Sequence, residues 1–382
     1  MLYRNFGKTN EVVSALGFGC MRLPIIGSDP TNIDEGKAIT MIRHAIDAGV
    51  NYVDTAYPYH GTGFTSGGAS ELFVAKALKD GYRERVKLAT KLPSWLIKTR
   101  ADMDKYLNEQ LERLETDRID FYLIHNLNKS VWPILKEADI SGFLDQAIKD
   151  GRIGYAGFSF HDQTALFKEI VDYYDWSFCQ IQYNYLDEEF QAGKEGLKYA
   201  AEKGLGIVIM EPLRGGNLVR LPEEAKVIID QAEVKRTPAE WALRWIWNHP
   251  EVSVVLSGMT TIDHVTENIK VAQEAEINSL TSEEIAIVGE IKRVFKERTK
   301  VNCTACSYCM PCPIGINIPT CFATYNDYWI FDGTPEAKQR YDILSKFAAP
   351  ASKCVGCGNC ESHCPQGIAI RDELKNVNAL FE

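Results

Sequence analysis

Eight times between Ala15 and about Gln273, a short run of β-branched or aromatic apolar residues gives way to a stretch whose apolar residues recur with helical spacing. The strand-like runs are Ala15–Gly19, Val50–Asp54, Val86–Lys91, Ile119–His125, Ile153–Ser159, Phe178–Tyr183, Gly206–Glu211 and Val252–Ser257. The helix-period stretches include Glu35–Ala48, Ala69–Asp80, Met103–Leu114 and Pro238–Trp247. Nearly continuous apolar runs are what strands buried on both faces require. Gly49 closes one helix, and Thr237 with Pro238 reads as an N-cap followed by a first-turn proline. Eight such units suit an α/β fold of the closed (β/α)8 TIM-barrel kind, which takes about 250 residues. An open doubly wound sheet is the alternative, because strand order is not readable from sequence. No Gly-x-Gly-x-x-Gly follows the first run, so an open sheet would lack its phosphate turn. Tyr3–Val13, with Gly7 to Asn10 at its centre, reads as a hairpin ahead of the first strand.

At 382 residues the chain is longer than one barrel needs. After about Lys296 cysteine, proline and glycine dominate and the β–α rhythm stops. The expected division is therefore a barrel over residues 1–295 and a second domain over 296–382, with one helical stretch at about Ile318–Phe347. Forty-two basic residues against 52 acidic ones give a net charge of −10, a balance that argues against broad nucleic-acid binding. The opening residues carry charges where a secretory leader needs an apolar run. The longest apolar stretches are too short to span a bilayer. A cytoplasmic location without a membrane partner is the expectation.

Eleven cysteines are unevenly placed: Cys20 and Cys179 stand alone and read as small apolar core residues, and the rest lie between Cys303 and Cys364. In a long chain without a leader such density reads as metal ligation. Cys303, Cys306, Cys309 and Cys312 are spaced three apart, and Pro313 follows. Cys354, Cys357 and Cys360 repeat the spacing, then Cys364 precedes Pro365. The second run matches the C-x2-C-x2-C-x3-C-P signature of bacterial two-cluster ferredoxins, in which the fourth cysteine serves the other cluster. Two [4Fe–4S] clusters are expected, one on Cys303, Cys306, Cys309 with Cys364 and one on Cys354, Cys357, Cys360 with Cys312. The first run is one residue short before its last cysteine, which leaves Cys309 and Cys312 open and Cys321 a candidate substitute. Two zinc sites are the alternative, although zinc favours paired knuckles over triplets that end in Cys-Pro.

Asp54, Lys91 and His125 end three successive strand-like runs, and Tyr59 lies in the loop after the first of these. The loops at that end of a barrel carry its active site. The four residue types suit reduction of a carbonyl, whose oxygen must take a proton as hydride arrives. A tyrosine of ordinary pKa about 10 is protonated at neutral pH and can donate. A neighbouring ammonium lowers that pKa, an aspartate holds the ammonium, and a histidine orients the carbonyl. Singly, Asp54 with Lys91 could be a structural ion pair and His125 a core histidine.

Asp54-Thr55-Ala56-Tyr57-Pro58-Tyr59 with Glu71 downstream, Ala89-Thr90-Lys91, and Asp120-Phe121-Tyr122-Leu123-Ile124-His125 together resemble the aldo/keto reductase superfamily. The Tyr3–Thr9 opening, Gly17–Leu23 and Cys309-Met310-Pro311-Cys312-Pro313 resemble its subgroup with a ferredoxin-like tail. The resemblance implies a tetrad of Asp54, Tyr59, Lys91 and His125, with Tyr59 as general acid/base, and NAD(P)H across the barrel mouth. It places Gly19, Cys20 and Met21 beside the nicotinamide ribose, Ser159 and Gln180 (and Asp54) about the nicotinamide, and Leu213 and Gly215 over the pyrophosphate. Glu267 and Asn268 fall near the adenine. Met210 stands where an aromatic residue usually stacks on the nicotinamide. NADPH-preferring members present a Lys and an Arg after the eighth strand, where this chain has Ser257, Gly258, Met259, Thr260 and His264. NADH is therefore expected to bind at least as well as NADPH.

The expected function is NAD(P)H-dependent, reversible reduction of an aldehyde or ketone, with the clusters for electron transfer or redox sensing. The alternative is a nicotinamide-binding electron-transfer or redox-sensing protein with little turnover. The expected partners are a small carbonyl or alcohol substrate and, as a candidate, a ferredoxin or other one-electron carrier.

Overall fold

The computed structural model describes every residue except Phe64, Ala275, residues 304–308, Thr334 and Pro365. The chain opens with an antiparallel hairpin, β1 (Tyr3–Asn5) against β2 (Val12–Ser14), with Arg4 opposite Val13. Eight strands follow: β3 (Leu16–Gly19), β4 (Tyr52–Asp54), β5 (Lys87–Leu92), β6 (Ile119–Leu127), β7 (Ile153–Phe160), β8 (Phe178–Gln182), β9 (Gly206–Met210) and β10 (Val254–Ser257). They pair in sequence order, and β10 closes on β3 with Leu256 opposite Gly17, so the sheet is a closed parallel barrel. The open-sheet alternative is thereby excluded.

Parallel neighbours need helical crossovers. These are α1 (Glu35–Asp47), α2 (Ser70–Ala77), α3 (Arg100–Arg113), α4 (Trp132–Glu137), α5 (Ile140–Lys149), α6 (Thr164–Tyr173) and α7 (Gly193–Glu202). After β9 come α8 (Glu223–Gln231) and α9 (Pro238–Trp247), and after β10 comes α10 (Ile262–Glu274). Local chemistry sets their ends. In α1 the Asp34 side chain accepts from the Lys37 amide, and Ala38, Met41, Ile42, Ala45 and Ile46 bury one face. Thr99 and Asp102 form a capping box at the start of α3.

The hairpin plugs the amino end of the barrel. Phe6 is fully buried, with its ring 4.5 Å from Phe121, 5.3 Å from Phe178 and 6.0 Å from Tyr52. Gly7 makes this possible: it takes φ +56, and a Cβ there would stand 2.2 Å from the Gly206 nitrogen. With one end filled by aromatic rings, the other is left to carry loops.

Contacts divide the chain into one unit of Met1–Gly215 with Glu240–Leu280 and another of Gly216–Ala239 with Thr281–Glu382. In the second unit α8 packs against α11 (Ser282–Glu297). There follow α12 (Ile318–Ile330), α13 (Pro335–Phe347), α14 (Asn359–Ser362) and α15 (Ile370–Phe381). The expected single helix over 318–347 is two, because Asp332 and Gly333 take φ of +55 and +76, conformations no helix accommodates. Ile318, Phe322, Tyr341, Leu374, Val377 and Phe381 form a small core, and Tyr341 stacks on Phe381 at 4.7 Å. Among the described residues no helix is long and apolar enough to cross a membrane.

Candidate functional site

The strands deliver Asp54, Tyr59, Lys91 and His125 to one place at the carboxyl end of the barrel. Lys91 is completely buried, and its Nζ lies 2.7 and 2.8 Å from the two Asp54 oxygens and 2.8 Å from the Thr55 carbonyl oxygen. The ammonium also lies 3.3 Å from the Tyr59 hydroxyl. The Tyr59 and His125 rings meet edge to face at 6.0 Å, and the Trp95 ring lies 5.2 Å from His125. The one mark that Trp95 carries in the sequence is its position four residues past Lys91, in the loop after β5.

Behind Lys91 a buried polar network fixes the strand. Glu71 accepts from Thr90 Oγ1 at 2.6 Å, Gln110 Nε2 at 2.7 Å and Arg113 Nε at 2.8 Å. Gln110 also donates to the Lys91 carbonyl at 3.0 Å and accepts from the Tyr122 hydroxyl at 2.7 Å.

Burial decides the protonation states. It raises the Tyr59 hydroxyl above its ordinary pKa, with Lys91 pulling the other way and Asp54 and Glu211 pushing up. The expected downward shift from Lys91 exists, but desolvation is the larger effect. Burial disfavours the Lys91 ammonium, yet Asp54 and Tyr59 more than restore it, so its pKa is raised. The Asp54 carboxyl is raised by burial against the pull of Lys91. His125 is driven well below its usual range by burial, Lys91 and His161, so its ring is neutral. His161 is lowered to about 4, chiefly by desolvation.

The other expected cofactor residues sit as follows. Ser159 and Gln180 are opposite one another on β7 and β8, both buried. Ser159 Oγ accepts from the Asn126 amide at 2.8 Å, and Gln180 Nε2 lies 3.5 Å from Met210 Sδ. Gln180 Oε1 and His125 Nδ1 are buried with no partner, which an amide or carbonyl ligand in the mouth would remedy. The residues thus fit a nicotinamide. Gly19 approaches the Ser257 carbonyl so closely that a Cβ would stand 3.3 Å from it. Cys20 and Met21 follow on the same loop; Cys20 is fully buried, and burial raises its thiol pKa, while Met21 is exposed. Asn268 is occupied with Ser257 Oγ at 2.9 Å, and His264 Nδ1 faces Thr260 Oγ1 at 3.3 Å on the surface. Leu213 and Gly215 lie in the loop after β9, and Glu267 lies on α10 beside Asn268.

In the second unit, Cys309, Cys312, Cys354, Cys357 and Cys360 line a single cavity with Ile314, Ile318, Val355 and Leu374. Among the described residues, Arg371 is the one cation that lines it, and no carboxylate does. Cys312, Cys354, Cys357, Cys360 and Cys364 are not joined in disulfides. Cys303 and Cys364 pack against the same small core, and Cys306 lies outside the described residues. Asn326 clamps the lead-in to the first run, its Oδ1 accepting from the Val301 amide at 2.9 Å and its Nδ2 donating to the Val301 carbonyl at 2.7 Å. Cys321 is buried on α12 with its thiol pushed up to about 12 by burial, Glu382 and Cys312. Among the described residues no three His, Cys, Asp or Glu side chains converge tightly enough to hold a single ion. A thiol-lined, carboxylate-free cavity suits an anionic cluster.

Comparison with known proteins agrees on both units. Residues 15–293 match the model of the aldo/keto reductase family, and residues 302–369 match that of the 4Fe-4S dicluster domain. A protein of Glycine max named "Probable aldo-keto reductase 1" is 28% identical over 292 residues, spanning 67% of this chain and 80% of the relative. A 6-dehydroglucose reductase of Novosphingobium aromaticivorans is 29% identical over 283 residues, spanning 69% and 88%. The structure of an aldo-keto reductase from Bacillus halodurans in its holo form superposes with a TM-score of 0.62 at 29% identity, covering 76% of this chain and 96% of that one.

Proposed function

The chain belongs to the aldo/keto reductase family, and from that premise we propose that it reduces an aldehyde or ketone, reversibly, with NAD(P)H as hydride source. The observation that carries the reading is the convergence of Lys91 Nζ on Asp54 at 2.7 Å and on the Tyr59 hydroxyl at 3.3 Å. Bound nicotinamide supplies the hydride that reaches the carbonyl carbon. The chain's residues handle the oxygen. Tyr59, kept protonated by burial, donates its proton as negative charge develops there. Lys91 stabilises the phenolate that remains, and Asp54 holds the ammonium in place. His125, neutral in its buried setting, can donate an N–H to the carbonyl and aim it at Tyr59. Ser159, Gln180 and Met210 would hold the nicotinamide. With no permanent cation in Ser257–Thr260 or at His264, NADH should bind at least as well as NADPH.

In the other unit Cys354, Cys357, Cys360 with Cys312, and Cys303, Cys306, Cys309 with Cys364, would ligate the two clusters, which carry one electron at a time. The clusters would serve electron transfer or redox sensing, with a ferredoxin or other one-electron carrier as the candidate partner.

Replacing Tyr59 by phenylalanine tests the reductase reading. The variant should bind NADH as the parent does and lose about 10²–10⁴-fold in turnover, the usual contribution of a general acid. Parental turnover on every carbonyl tried would mean that the proton comes from elsewhere.

A further inference from the structure

The loop after β3, residues 20–34, folds back on itself before α1 begins. Ile25 bridges Ile33, the Ile26 amide donates to the Asn32 carbonyl at 2.8 Å, and the Asp34 amide donates to the Pro24 carbonyl at 2.8 Å. Its root is fixed at the tetrad: the Cys20 amide donates to the Asp54 carbonyl at 2.8 Å, and Ser70 Oγ donates to the Cys20 carbonyl at 3.0 Å. So short a pair of limbs is marginally stable by itself, and one side chain ties both limbs together.

That side chain is His60, which directly follows Tyr59. Its Nε2 accepts from the Leu23 amide at 3.1 Å on the outgoing limb, and its Nδ1 lies 2.8 Å from the Pro30 carbonyl oxygen on the returning limb. A neutral imidazole has one donor and one acceptor. The amide can only donate and the carbonyl can only accept, so the proton sits on Nδ1 and the lone pair on Nε2. The segment that carries the ring is itself held. His60 takes φ +57, the Ser70 amide donates to the Tyr59 carbonyl at 3.2 Å, and the Ala69 amide donates to the His60 carbonyl at 3.0 Å. Gly68 packs so closely there that a Cβ would stand 2.1 Å from the Tyr59 carbonyl oxygen. The ring thus joins the loop to a rigid stretch of backbone that carries Tyr59.

We propose that His60 is a positioning residue of the reductase site: its neutral ring staples the loop after β3 to the Tyr59 segment, and a second proton on the ring releases the loop at Leu23. The functional half of this rests on the carbonyl-reduction reading above. An imidazolium has two donors and no acceptor, so the Leu23 amide would face an N–H. The charged and titratable groups of the surrounding elements are engaged elsewhere: Arg22 with Glu211, Asp29 with Thr31, Asp34 with Lys37, Glu35 with Lys76, Glu71 with Arg113 and Tyr59 with Lys91. Burial lowers the pKa of the ring and the Pro30 carbonyl raises it, with burial the larger effect. The staple is therefore closed at neutral pH and opens as pH falls through a value below the ordinary histidine range.

Amide hydrogen exchange on the full-length protein, corrected for the intrinsic effect of pH, tests the staple at about pH 5 and about pH 8, either side of the histidine range. Reduction of 4-nitrobenzaldehyde with NADH over the same range tests its consequence. In the parent the Leu23 amide should be protected at the higher pH and exchange about tenfold or more faster at the lower, as a local opening does, while the β6 amides stay protected at both. His60→Gln keeps a donor and an acceptor but does not titrate. It should protect Leu23 throughout and move the acid limb of turnover to lower pH. His60→Phe keeps a ring without nitrogens. It should expose Leu23 throughout and lower kcat by about tenfold or more, since small misplacements at a reacting centre cost that much. Equal protection of Leu23 at both pH values in the parent overturns the proposal. So does parental protection in His60→Phe, or an acid limb that stays in place in His60→Gln. A parent that opens the loop in acid and yet reduces neither this aldehyde nor any ketone tried removes the reductase reading, and the staple then has nothing to position. A working parent whose turnover is indifferent to His60→Phe removes only the role of His60.

Discussion

A lysine with none of its side chain exposed persists because its charge is met on several sides, and Lys91 has Asp54, the Thr55 carbonyl and Tyr59 around it. That enclosure gives the site its pH behaviour. Burial raises the Tyr59 hydroxyl and Lys91 lowers it, so removing the ammonium must raise it further. On the proposed mechanism, reduction requires protonated Tyr59 and declines as pH passes its pKa. In Lys91→Met the alkaline limb of the pH–rate profile should therefore move to higher pH, with a lower plateau. Stranding Asp54 without its partner should also cost about 3–5 kcal/mol of stability. A limb that stays where the parent's lies would mean that another group titrates there. The four residues were readable because their types match a known chemistry at consecutive strand ends. Trp95 and Glu211, which the structure sets beside the tetrad, carry no such mark, because a loop residue's neighbours depend on how the loop closes.

At the scale of elements, the strands were legible as apolar runs because both of their faces are buried. Their ends were less so. The run ending at His125 continues to Leu127, with a register shift against β7. Asn126 takes φ +55 there and donates its amide to Ser159 Oγ. The bulge depends on a side chain 33 residues away, which periodicity does not register. The link from α3 to β5 and β6 is another such feature. Gln110 bonds Glu71, the Lys91 carbonyl and Tyr122 from a fully buried position. Gln110→Leu keeps the volume but leaves those groups short of partners, at about 1–3 kcal/mol for such losses. Urea unfolding should report the drop. An unchanged midpoint would mean that the network does not tie the helix to the strands.

For the molecule as a whole, the proposed reading asks different chemistry of the two units, a hydride delivered to a carbonyl carbon beside Tyr59 and single electrons at the cysteines. The second unit is testable by composition. Protein prepared without oxygen should be brown and contain about eight iron and eight sulfide per chain, as two cubanes require. Colourless protein with stoichiometric zinc would replace the clusters with zinc sites. The cysteine spacings sufficed to raise the expectation, since ligands for a cubane lie close together in sequence. How Cys309 and Cys312 divide between clusters did not follow from spacing, and both line the one cavity with Cys354, Cys357 and Cys360.

By itself the sequence determined what depends on order along the chain: eight β–α units, polar residues at successive strand ends, and two runs of cysteine three apart. The tertiary structure decided what depends on distance and burial. It closed β10 on β3, divided the helix after Ile318 at Asp332, and let desolvation outweigh Lys91 at Tyr59. It also brought the His60 ring between Leu23 and Pro30, positions 37 and 30 residues away along the chain. A periodicity is local and survives any folding of the chain, whereas a charge takes its energy from whatever the fold places beside it.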